Sequence, residues 1–169
     1  MTLVRAIAVT HDHAPAGDSL SLTYEARLLR RRRLVTDTGR EILADLPETV
    51  SLGEGNCLLL EDGGRVAIHA APEDLLEVTG DLPRLAWHIG NRHTPCRIED
   101  GRLLIQRDHV LKAMLAQLGA TLRDVVEPFT PEGGAYGHGR TFGHSHGHDH
   151  GHSHDHHHHE HGTHHHSHD

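Results

Sequence analysis

The chain has 169 residues, a formal net charge of −8 with histidine counted neutral, and two cysteines; ahead of a compositionally biased C-terminal stretch, that length suits one ordinary domain or two small ones. Cys57 and Cys96 form no Cys-x-x-Cys arrangement, which excludes a disulfide framework and a zinc ribbon and fits a reducing compartment. The acidic balance argues against nucleic acid as the main partner, a sign that depends on pH because the 22 histidines begin to charge below about pH 6.5.

No apolar run approaches a membrane span and nothing near the N-terminus reads as a signal peptide, so a cytoplasmic chain without a membrane partner is expected. Residues 3–9 alternate as a strand, and 11–17 read as a polar loop carrying His11 and His13. A strand is expected over 20–28. Four arginines, Arg30, Arg31, Arg32 and Arg33, then enter a strand-like segment at 34–36, closed by an Asp37-Thr38-Gly39 turn. Such a run either guards a sheet edge against strand addition or docks an acidic protein surface. Residues 41–46 form another strand that Pro47 is expected to stop, 57–61 another, and Asp62-Gly63-Gly64 turns the chain into an alternating strand at 65–70. This half is short strands and turns.

Pro72 marks a change of pattern. A strand over 75–79 is followed by Asp81, a good N-cap, and Pro83 in the first turn of a helix expected over 82–93. Its apolar stripe is Leu82, Leu85, Ala86 and Ile89; the opposite stripe is Arg84, Trp87, His88 and Asn91, which turns the chain's only tryptophan away from the core. His93 continues the apolar stripe and, on spacing alone, reads as a core-edge histidine favoured by the helix C-terminus. A hairpin around Asp100-Gly101 joins strands at 96–99 and 102–106. Asp108 caps a second helix over 109–119 with the stripe Leu111, Met114, Leu115 and Leu118, and 122–129 is a last strand. The expected fold class is therefore α+β: an all-β N-terminal domain (1–72), a ferredoxin-like βαββαβ domain (73–135) and a tail (136–169).

Half of the residues over 138–169 are histidines, 16 of 32, and the rest are almost all Gly, Ser, Asp, Thr or Glu, with Phe142 the one large apolar residue. With so little apolar matter to offset backbone entropy, this stretch is expected to be a flexible ligand arm, and imidazole is the commonest protein ligand for borderline divalent metals. Its candidate ligands are His144, His146, His148, His150, His152, His154, His156, His157, His158 and His159. A purification tag or a tract without a role are the plainer readings, although the longest unbroken run is only four.

Trp87-His88-Ile89-Gly90-Asn91-Arg92-His93, followed by Asp108-His109-Val110-Leu111 and a histidine-rich C-terminus, resembles the UreE family of urease accessory nickel metallochaperones. The resemblance covers essentially the whole chain. It implies an N-terminal β domain similar to the peptide-binding module of J-domain co-chaperones and a ferredoxin-like metal-binding domain. It also implies a homodimer in which His93 of both subunits holds one Ni2+, with His88 and His109 as peripheral sites and tail histidines adding ligands. Zn2+ or Cu2+ can substitute, since imidazole does not choose among them. The implied partners are urease apoprotein and its accessory complex, reached through the accessory GTPase. Many members carry a second histidine two residues before the one matching His109, where this chain has Arg107. No Ser/His/Asp or Cys/His constellation, phosphate-cradling loop or His-Glu-x-x-His motif is present, so no enzyme is expected. The alternatives are a general Ni/Zn/Cu buffer or storage protein, and a peptide-binding module regulated by its histidine arm.

Overall fold

The computed structural model describes residues 3–133, so the expectations for the histidine-rich stretch lie outside the described residues. Its first half is β1 (Val4–Thr10), β2 (Asp18–Leu22), β3 (Leu28–Val35), β4 (Glu41–Ser51), β5 (Cys57–Leu60) and β6 (Arg65–Ala70). These form one six-stranded sheet in the order β2-β6-β5-β1-β4-β3, with β1 parallel to β4, β2 parallel to β6, and the other neighbours antiparallel. Alternation puts Ala6, Leu34, Ile42, Leu58, Val66 and Ile68 on one face, where they bury together. Gly39 at φ 90° and Gly63 at φ 83° take the left-handed positions that reverse the chain between β3 and β4 and between β5 and β6.

Two expectations for this half are corrected. The single strand over 20–28 is broken: Arg27 N donates to Thr23 O (3.0 Å) and Leu28 N to Glu25 O (3.2 Å), making a turn that leads straight into β3, so all four arginines lie inside a strand. Pro47 does not end β4. The register with β3 jumps from Leu29↔Val50 to Arg31↔Asp45, and Pro47 sits in the resulting bulge, one of the few places in a sheet where a missing N–H costs no ladder bond.

The second half is β7 (Pro72–Thr79), α1 (Leu82–Gly90), β8 (Arg97–Glu99), β9 (Arg102–Gln106), α2 (His109–Gln117) and β10 (Thr121–Pro128). Its strands form an antiparallel sheet in the order β10-β7-β9-β8, the ferredoxin-like arrangement. Asp108 Oδ1 accepts from Val110 N and Leu111 N, both at 2.9 Å, and starts α2 as its cap residue should. Leu85 and Ile89 of α1 and Leu111 and Leu115 of α2 close on Leu76, Val78, Leu103 and Ile105 of the sheet. Helix α1 stops at Gly90, three residues before the expected end.

The opposite face of this sheet meets the first half. Tyr24, from the turn before β3, packs edge-on against Phe129 with ring centroids 5.5 Å apart, beside Leu75 and Leu104. The buried guanidinium of Arg27 donates to Leu22 O (2.9 Å) and to Phe129 O, and Tyr24 N donates to Glu73 Oε2 (2.8 Å). Further along the same face, Arg102 holds Glu127 (2.7 Å), Glu77 (2.9 Å) and Glu99 (2.5 Å).

Phe129 is fully buried, so Phe129→Ala should destabilise the protein by about 3–5 kcal/mol, measured as a lower urea midpoint by circular dichroism. Arg123 and Arg102 hold the Glu77 carboxyl below its usual range, and Arg102 does the same for Glu127. With the folded values below the unfolded ones, this contribution is complete above about pH 4.5 and is lost as pH falls through the folded values. Arg102→Gln should therefore lower stability near neutrality and show a smaller further loss than wild type between about pH 5 and pH 3.

Candidate metal centre

Where α1 ends, the backbone tightens. Asn91 N donates to Trp87 O (2.9 Å), His93 N to Gly90 O (2.9 Å) and Thr94 N to Ile89 O (3.4 Å), after which Pro95 forbids further helix. Within this turn His93 has φ 53°, the only positive φ of any non-glycine residue among the described residues. The left-handed region costs an L-residue roughly 1–2 kcal/mol, and glycine or asparagine is its ordinary occupant. The geometry lifts His93 off the apolar stripe that a continued helix would have given it, and it is exposed. The core-edge placement suggested by spacing is thus corrected.

His93 lines a shallow hollow of about 190 Å³ with Ala86, Gly90, Cys96, Ile98 and Glu132. Ile98 is 54% exposed, an apolar side chain left open beside the imidazole. Glu132 N donates to Cys96 O (2.8 Å), which brings the segment following β10 back to this rim. Nothing in the sequence pattern signals that return. The Cys96 thiol contacts Arg97 O at 3.7 Å, and burial, with the Glu132 carboxylate second, pushes its pKa up to about 11. At neutral pH without metal it is a thiol rather than a thiolate, so ligation there would have to displace a proton.

His88 is half-buried, with its ring edge-on to Trp87 at 5.0 Å, and Trp87 is 64% exposed, outward as the stripe predicts. His109 is exposed at the first position of α2. Arg107, which replaces the second histidine of the resemblance, ties β7 to β10, since its Nε donates to Leu75 O (3.1 Å) and its Nη2 to Val125 O (3.0 Å). Away from this region, His69 Nδ1 lies 2.8 Å from Glu54 Oε1, and His11 lines a hollow of about 510 Å³ at the seam of the two halves. The structure does not bring His88, His93 and His109 together. Among the described residues no three His, Cys, Asp or Glu side chains converge to hold an ion. The tail candidates His144 to His159 lie outside the described residues.

The turn thus presents an exposed imidazole, carried by a ferredoxin-like sheet that is joined to a β-sheet half, and this two-part α+β architecture is the class to which sequence comparison gives a family. Residues 2–71 match the N-terminal domain, and residues 73–169 the C-terminal domain, of the UreE urease accessory protein family. Similar proteins bear the name urease accessory protein UreE. That of Ruegeria pomeroyi is 62% identical over 142 residues, covering 83% of this chain and 95% of its own. The Rhodobacter capsulatus protein is 57% identical over 129 residues, covering 76% and 83%, and the Chelativorans protein 48% identical over 153 residues, covering 85% and 97%. The chain belongs to the UreE family, whose members support urease maturation as accessory chaperones and are not enzymes.

Because its φ is positive, His93→Gly should leave stability unchanged or raise it by up to about 1 kcal/mol. A loss of stability on thermal denaturation would mean that the ring is held there for packing.

Proposed function

We infer that this protein is a cytoplasmic homodimeric nickel chaperone that carries Ni2+ for assembly of the urease metallocentre and passes it on through the GTPase of the same pathway. His93 of each subunit holds a shared ion. His88 and His109 are peripheral sites, and the tail histidines supplement the shell. The observation that carries this reading is the left-handed, exposed His93: a strained backbone position held by an imidazole, where glycine or asparagine is the ordinary occupant, points to a chemical use of the ring.

The donor set suits the cargo. Neutral imidazole is a good ligand for nickel, and for zinc and copper also. One imidazole on a surface is a weak site, but a two-fold axis doubles it without further sequence and makes the interface isologous. The exposed Ile98 beside His93 provides apolar surface for such a contact. Neutral ligands, only partly preorganised, let the ion leave stepwise, which a carrier requires and a structural zinc site does not.

Nickel titration by calorimetry, with mass determined in parallel, tests this. Full-length protein should bind several ions per dimer, and protein lacking 137–169 should retain one. His93→Ala in that shortened protein should bind none while remaining folded. Affinity should fall steadily from about pH 7 to pH 5.5 as imidazoles protonate. A nickel-loaded monomer, or a tight site that survives His93→Ala, would refute the shared-ion arrangement. Unimpaired urease activation by His93→Ala would instead leave a storage protein.

A further inference from the structure

Positive charge on this molecule is mostly neutralised where it stands. Of the ten arginines within 3–133 that lie outside the run at 30–33, eight hold a carboxylate within 4.0 Å. The run is different. Its one carboxylate contact is Arg31 with Asp45 at 3.8 Å, and Asp45 is already engaged more closely by Arg5 at 3.2 Å. Arg32 donates to a backbone oxygen, that of Ala26. Among the described residues, no carboxylate pairs with Arg30 or Arg33, and all four side chains are exposed.

These arginines occupy β3, the terminal strand of the six-stranded sheet, whose outer side no strand covers among the described residues. In register, Arg32 stands opposite the buried Ala44, on the core side of the sheet; Arg31 and Arg33 stand opposite Asp45 and Leu43, on its outer side. Both sides of one free edge are therefore cationic. Guarding an edge against unwanted pairing takes a charge or two. Four adjacent cations at about 3.3 Å per residue repel one another, a cost that a guard alone does not require.

The geometry points to the outer edge of β3 as a docking surface for an extended acidic segment of a partner protein. A chain lying along the edge can reach the arginines on both sides, whereas a flat surface pressed on either face meets only half of them. An extended acidic chain presents carboxylates at the same spacing as the guanidiniums, whose planar forks bind carboxylates in pairs. This surface is independent of the His93 reading and uses none of its residues.

The test uses full-length protein at about pH 8 with EDTA, so that imidazoles are neutral and metal is absent. The probe is a fluorescein-labelled ten-residue glutamate peptide, followed by anisotropy at low salt. Wild type should bind saturably. Arg31→Ser with Arg33→Ser should weaken binding about tenfold, and moderate salt should do likewise. Replacing all four arginines by lysine should weaken binding, but less than the serine variant does, because the charge stays while the paired contact of the fork is lost. Should the serine variant unfold, Arg30→Gln with Arg33→Gln, which removes no ion pair, makes the same comparison. The proposal is overturned if wild type does not bind the peptide or if the neutralised variants bind it equally well. It is also overturned if a single-stranded oligonucleotide of equal charge binds at least as tightly, which would mark a general polyanion site.

Discussion

The arrangement of the two halves rests on a buried guanidinium. Arg27 lies in the turn before β3 and donates to Leu22 O in the first half and Phe129 O in the second, with its charge 5.8 Å from the centre of the Tyr24 ring. Burying a cation is costly, and carbonyl oxygens from both halves offset that cost by accepting from its two terminal nitrogens. The same contact fixes where β10 ends. Residues 130–133 follow from that point, and their placement beside Cys96 and His93 depends on it. The seam and the hollow beside His93 are thus coupled through one short length of chain.

Much of the fold is legible in the sequence because the determinants are local. Asp81 and Asp108 announce the helix starts, the stripes at Leu85, Ile89, Leu111 and Leu115 announce the buried faces, and Gly39, Gly63 and Gly101 announce the reversals. What is not legible depends on partners distant in sequence. The turn at Thr23 to Arg27 contains neither glycine nor proline and alternates like a strand; it is bent by what Tyr24 and Arg27 reach on the other half. Pro47 is admitted by a bulge that only the pairing with β3 creates. The parallel pairings of β1 with β4 and β2 with β6 leave no mark on local periodicity.

At the site, spacing alone misplaces His93, because it assumes that the helix continues past Gly90. The motif resemblance singles out the same residue as a ligand, and periodicity cannot see what sets it apart: the backbone leaves the helix there and turns left-handed. Arg107 shows the reverse case. A sequence comparison registers it only as a missing imidazole, whereas the structure finds it bonded to carbonyls of two strands. Cys96, three residues from His93 and an inviting soft ligand on paper, has its thiol pKa pushed up by burial that the sequence does not display.

The hydrogen bond from Glu132 to Cys96 has a consequence in terms of local concentration. Gly133 borders the same hollow as His93, and in the sequence His138 follows five residues later, a chain contour of at most about 18 Å. Tethering at such a span corresponds to an effective concentration in the millimolar range. On the function proposed above, an ion carried at the rim would meet this donor at a level set by the length of the tether and not by the dilution of the protein.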